Sequence, residues 1–323
     1  MKYWLYLIFI PLFLWQCCNN KDDNKYIINR FDKDLQYLSE NYSDSVFVVF
    51  NKRYSNLFSI YYHSILKGNS DSLDPKSKIE FISSMLKNSH FNKLYSDVTC
   101  EFSSMKNEET VLSKASKRYS KILKNSYIPK IYTHVSPFGY SIITSDSLIS
   151  ISLDNYLGAE YEGYKGVFYK YQLPKKEREM IIPDIFKGWL YAQYPHKSEN
   201  LIEGMIYEGA IIYAIEKILD NYTAGEILGY DRDKINWCED NESDIWNAII
   251  KSNHLYSNNP FIYSKYINEA PYCSALNGDV PGEIGKWIGY RIVSKYIAHT
   301  GIEHIESILN GEYNIIDILK TYN

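Results

Sequence analysis

Two glutamates stand where the surrounding pattern calls for apolar residues, and a carboxylate so placed either does chemistry or holds the fold together. In the segment 200–219, Leu201, Met205, Ile212, Ile215 and Leu219 recur by threes and fours. At 100° per residue, Glu208 falls in the middle of that stripe. Ile202, Ile206, Ile211 and Ile218 cover the other faces, so the segment reads as a central, buried helix. A carboxylate there must be paired, bound to a metal, or protonated. A continuous helix over 231–252 would repeat the feature, with Glu242 on a face shared by Ile235, Cys238, Ile245 and Ile249. Buried carboxylates suit catalysis and metal ligation. They equally suit a structural network, in which Arg291, a tyrosine or a tryptophan N–H satisfies them, and the geometry favours the network. Arg291 borders the apolar face of Ile284, Ile288, Ile292 and Tyr296 and is the first choice to meet an inward glutamate. Glu208, Glu242 and Arg291 are therefore the candidate buried polar site. The acidic run 238–244 lacks the glycine and terminal glutamate of an EF-hand loop and reads as a solvated helix face.

The start of the chain offers a different chemistry. Lys2 precedes an apolar run over 3–15, too short for the ~20 residues a membrane-spanning helix needs but right for a signal peptide. No small residues prepare an ordinary cleavage site. Instead Leu14 stands three places before Cys17, the lipobox arrangement, whereas Cys18 has only Trp15 at that place. Residues 1–16 are expected to be a lipoprotein signal, Cys17 the acylated residue, and 17–30 the anchor and tether. More than one acyl chain on Cys17 would hold the protein firmly to a membrane. Lys21-Asp22-Asp23 reads as part of a solvated tether; it also resembles the tag that takes lipoproteins of Bacteroidetes to the cell surface.

The remaining chain suffices for one large domain or two small ones. Its net charge of −4 is spread over both signs, and no basic face argues for nucleic acid. The 32 tyrosines would suit a sugar-binding surface, although a low-GC genome explains them more simply. Beyond the leader only Cys100, Cys238 and Cys273 remain, with no C-x-x-C. This indicates neither a disulfide framework nor a cysteine zinc site, and leaves a single Cys238–Cys273 bridge open.

The elements that must position these residues are mostly helical. From Tyr26 to about Lys124 helices are broken at Gly68-Asn69-Ser70 and near Asp74-Pro75. Short β-branched runs then fall within 130–153, separated by Pro137-Phe138-Gly139 and Ser145-Asp146, and predict a small antiparallel sheet. Helices follow over 174–193, 200–219, 231–252, 281–299 and 302–310. In the fourth of these, Asp279 is the expected cap with Pro281 in the first turn, and Gly285 and Gly289 let another backbone approach closely. The fold class is α+β, predominantly helical, with one domain over 31–323.

Several segments resemble one family when taken together: S-I-S-L-D-N-Y-L-G (150–158), I-I-P-D-I-F-K-G-W-L (181–190), M-I-Y-E-G-A-I-I-Y (205–213), the I-L-G-Y to W-C-E-D-N-E-S-D-I-W stretch (227–246) and P-G-E-I-G-K-W-I-G-Y-R-I-V (281–293). Their order and spacing are similar to the gliding-motility lipoprotein GldB family of Bacteroidetes over about 130–323. The chain departs from that family at Glu283, where the family has arginine, and at Tyr290, where it has tryptophan. The family in turn resembles zincin-type metallopeptidases, in which H-E-x-x-H supplies two ligands and the base, and a following E-G-x-A-x-Y-like helix supplies the third ligand. E-G-A-I-I-Y (208–213) looks like that second helix and puts Glu208 at the third-ligand position. The preceding helix carries Phe186-Lys187-Gly188-Trp189-Leu190-Tyr191 instead of histidines, and no H-E-x-x-H occurs anywhere.

The resemblance implies a helical part over 31–125 and a zincin-like core over 126–323 whose metal site is degenerate. No catalytic residue, metal or cofactor is expected. The implied function is that of a non-enzymatic envelope lipoprotein, in the outer rather than the inner membrane. It would bind protein partners of the gliding machinery or the associated secretion machinery. Two alternatives stand beside it: a zincin-like hydrolase with an altered site using Glu208 and Glu242, and a surface glycan-binding lipoprotein using exposed aromatics.

Overall fold

The computed structural model describes residues 25–68, 74–124, 127–276 and 278–322. The expected signal at 1–16, the acylated Cys17 and the Lys21-Asp22-Asp23 run lie outside the described residues. A short strand, β1 (Ile28–Asn29), leads into α1 (Phe31–Glu40) and α2 (Asp44–Ile60), which runs on as a π-helical turn at Tyr61–Ile65. Then come α3 (Pro75–Leu86), α4 (Ser89–Glu101) and α5 (Lys106–Ile122). Their starts follow ordinary capping chemistry. Asp74 accepts from Ser77 N ahead of Pro75, and Asn88 accepts from His90 N and Phe91 N.

The sheet is completed by β2 (Lys130–His134), β3 (Ile142–Ser145) and β4 (Leu148–Ser152), in the order β1-β2-β4-β3. The expected all-antiparallel arrangement is wrong. Only β3 and β4 pair antiparallel, whereas β2 runs parallel to β4 and β1 parallel to β2. After β2 the chain turns through Pro137 and Phe138, both with positive φ, crosses to the far edge as β3, and returns as β4 between β3 and β2. Alternation fixes which residues share a face but not which strands become neighbours. The β1 strand, within the expected tether, is two residues long and carries no periodic signal. Burial on both faces accompanies the parallel pairing: every residue of β4 is buried, with α1 against β2 and α6 (Ile181–Gln193) against β3 and β4.

The later helices are α7 (Leu201–Ile218), α8 (Ala224–Ile227), α9 (Arg232–Asp240), α10 (Glu242–Lys251), α11 (Pro260–Ile267), α12 (Ile284–Thr300), α13 (Ile305–Leu309) and α14 (Ile315–Lys320). Helix α6 begins at Ile181 rather than 174, because the chain before it forms 3-10 turns around Pro174 and an extended Glu177. The expected helix 231–252 breaks at Asn241, whose side-chain amide donates to the Trp237 carbonyl at 2.8 Å and so ends α9. Asp279 and Pro281 do not start α12; Glu283, with φ +60°, is its N-cap. Cys238 and Cys273 are buried free thiols, so the bridge between them does not form, and burial pushes the Cys238 thiol up to about 12.

Helix α7 is buried along nearly its whole length, as its all-round apolar pattern requires. Helix α12 crosses it at Gly209 and Gly289. A Cβ on Gly289 would overlap the Met205 carbonyl, and one on Gly209 would overlap the Gly289 carbonyl carbon. One apolar core runs from Ile28 to Tyr322. Among the described residues no helix is long and apolar enough to cross a membrane.

Candidate functional site

Glu208 lies midway along α7, only 9 % exposed, where the stripe places it. Tyr191, from the last turns of α6, donates its hydroxyl to Glu208 Oε2 at 2.6 Å. Lys286, in the first turn of α12, brings its Nζ to 3.7 Å from the same oxygen. Lys286 also sits 2.9 Å from Glu283 Oε1, and Glu283 in turn pairs with Lys175. Lys175 has a second partner, Glu269, at 3.0 Å. Burial alone would raise the Glu283 carboxyl, but Lys175 and then Lys286 hold it down at about 2. Burial works against the Lys286 ammonium, and Glu283 followed by Glu208 more than offsets it, so its pKa is raised. The left-handed backbone at Glu283, of order 1–2 kcal/mol for a non-glycine residue, is thus stabilised by two lysines. The acid at 283 is what allows those two lysines to gather.

On α6, Lys187 stands one turn before Tyr191 and therefore on the same face. Burial lowers its pKa, and the charges of Lys286 and Lys175 lower it further. Next to it, Gly188 has no room for a side chain: a Cβ would lie 2.8 Å from Ile142 Cγ2 on β3. Helix α6 therefore lies close on the sheet at the point where its polar face turns toward Glu208.

The candidate trio divides into two sites. Glu242 is the first residue of α10, where Arg291 Nε donates to its Oε2 at 2.8 Å and Lys295 lies 3.4 Å from Oε1. Arg291 meets Glu242 and not Glu208. Half-open ion pairs of this kind contribute little, of order 0–1 kcal/mol, and with Arg291 33 % exposed this pair is one of them. The sequence reading missed Tyr191, Lys286, Lys175 and Lys187. The four-residue spacing of Lys187 and Tyr191 was a usable signal, and so was Lys286 three places after Glu283. Lys175 lies in a 3-10 turn, where no periodicity points to it.

A cavity of about 550 Å³ opens against this centre, walled by Tyr191, His196, Tyr207, Glu208 and Tyr263. Tyr263 lies on α7 at Gly204, where any Cβ would strike its ring. A second groove of about 630 Å³, between Met85, Phe91 and Leu94 on one side and Phe138 and Tyr161 on the other, is mainly apolar.

The pairing predicts a graded response at Glu208. Removing one partner of a buried pair typically costs ~3–5 kcal/mol, but Lys286 would keep Glu283. Glu208→Ala is therefore expected to cost about 1–3 kcal/mol in a urea melt, and Glu208→Gln less, because it can still accept from Tyr191. A change in both variants within about 0.5 kcal/mol, as at an ordinary surface position, would show that Glu208 holds nothing together.

The fold and the site define a predominantly helical α+β protein built around a charge-compensated buried carboxylate, with no H-E-x-x-H helix beside it. The family model described as "Gliding motility protein GldB" matches residues 18–321, and the chain belongs to that family. No curated protein and no solved structure matches it.

Proposed function

We propose that this GldB-family chain is a lipid-anchored protein of the cell envelope that serves gliding motility, or the associated secretion machinery, by binding a protein partner and not by catalysis. One observation carries the non-enzymatic reading. A zincin needs two imidazoles four residues apart with a glutamate base beside the first, facing a third ligand on the next helix. Opposite Glu208, those positions correspond to Lys187, Gly188 and Tyr191. An ammonium repels a dication, glycine offers no base, and the Tyr191 phenol is engaged as a donor to the very carboxylate that would be the third ligand. Among the described residues no set of three His, Cys, Asp or Glu side chains gathers as a metal would require. This donor set does not fit zinc.

Cys17, with Leu14 three places before it, is the residue we expect to carry the lipid, and Lys21-Asp22-Asp23 favours the outer membrane with exposure at the cell surface. The purified mature protein is expected to hold no stoichiometric zinc and to cleave no peptide. In native envelopes, a photo-crosslinker at Phe261, 78 % exposed and next to the cavity-lining Pro260, is expected to trap one discrete protein. Metal analysis finding about one zinc per chain, lost together with a peptidase activity, would overturn the reading. Crosslinking to no protein would overturn its partner-binding half.

A further inference from the structure

We propose that the cavity at Glu208 is a recognition site for a primary alkylammonium group, the lysine side chain of a partner polypeptide being the source. The inference deepens the reading of this chain as a partner-binding protein and rests on it for its biological sense.

The charge balance comes first. Lys286 is matched by Glu283 at 2.9 Å, and Lys175 by Glu283 and by Glu269, the latter at 3.0 Å. Lys286 approaches Glu208 only to 3.7 Å. Around Lys187 the nearby acid of its own helix is Asp184. Among these acids Glu208 has the longest contact with a lysine, and it lines the cavity. Both of its contacts, from Tyr191 and Lys286, fall on Oε2. Its Oε1 accepts from none of the described residues, which leaves one carboxylate oxygen for a donor that enters.

The walls suit the same ligand. Tyr191, Tyr207 and Tyr263 surround the carboxylate closely enough that its charge raises the pKa of each phenol, after the larger effect of burial. Tyrosine faces attract cations through the ring quadrupole. The His196 ring packs against Tyr207 with centroids 4.9 Å apart, and its buried Nε2 has no hydrogen-bond partner among the described residues. An ammonium has three donors and no acceptor. The unpaired carboxylate oxygen and the phenol oxygens of the surrounding tyrosines are the acceptors such a group would use. A carboxylate ligand would instead meet Glu208, and an apolar one would strand it.

The test is calorimetric titration of the full mature chain with Nα-acetyl-lysine amide, with Nε-acetylation of the same probe as the control. Saturable binding is expected for the free amine, at least tenfold weaker for the acetylated form and for Glu208→Gln. Tyr263→Leu, at a partly exposed position, should weaken it several-fold without unfolding the chain. If Glu208→Gln unfolds, Tyr263→Leu and the acetylated probe still decide. Equal binding of both probes, unchanged affinity in the variants, or no binding of the amine would each overturn the inference. A chain that traps its envelope partner yet ignores the amine would leave the partner-binding reading standing.

Discussion

Replacing Gly289 with alanine is expected to lower stability by about 3 kcal/mol or more, at the upper end of the usual cost of overpacking. The added methyl would overlap the Met205 carbonyl oxygen, and backbone has no rotamer into which to retreat. Helices α7 and α12 would have to separate along a crossing that joins the two most buried helices of the later part of the chain. Alanine's better helix propensity, about 1 kcal/mol, works in the opposite direction and is outweighed. Gly209→Ala, on the other helix of the same crossing, should behave alike. Gly225→Ala is the comparison, because the nearest atoms its methyl would meet belong to the Ile235 side chain, which can shift where backbone cannot, and its cost should be smaller, about 1–2 kcal/mol. Denaturant melts compare the three, and a Gly289→Ala variant as stable as Gly225→Ala would disprove the crossing.

The second large effect concerns acid. His134 on β2 is fully buried, with its Nδ1 2.8 Å from Ser150 Oγ, and burial pulls its pKa from 6.5 down to about 3, against a smaller raising effect of Asp32. Above about pH 6.5 the ring is neutral in both folded and unfolded chains, and stability is unaffected. Between 6.5 and 3 the unfolded chain takes up a proton that the folded chain refuses. Stability then falls as the pH falls, by ~1.4 kcal/mol per unit. Going from pH 7 to 4.5 should therefore remove roughly 2–3 kcal/mol through His134 alone. Asp154 opposes this in part: burial raises its carboxyl, so the folded chain takes up that proton more readily as the medium acidifies. His134→Asn removes the imidazole titration and keeps a polar group for Ser150. The variant should start less stable at pH 7 yet lose about 2–3 kcal/mol less on going to pH 4.5. Equal losses in the two proteins would mean that His134 can be protonated in place.

The sequence was most informative where one face of an element decides its neighbours. The buried course of α7, the inward Glu208 and the close approach at Gly289 all follow from spacing alone. Pairing was harder to read. Nothing in Tyr132, Ser150 or Ile143 says that β4 lies between β2 and β3, because each run alternates equally well against any neighbour. The partner of Glu208 was misjudged for a related reason. Arg291 borders the Ile284, Ile288 and Ile292 face of α12, whereas Lys286 lies on the far side of that helix at 100° per residue, and it is Glu242, the first residue of α10, that meets Arg291. Lys175 is legible only in three dimensions, since it reaches Glu283 across 108 residues of chain.

The two-residue strand β1 sets a leash. It enters the sheet beside β2 at Ile28, eleven residues after Cys17 (28 − 17 = 11). Fully stretched, a segment of that length spans at most ~35–40 Å. If Cys17 carries the lipid, as proposed, that length limits how far the folded body can stand from the bilayer, and a proposed partner would have to meet it at the same membrane surface.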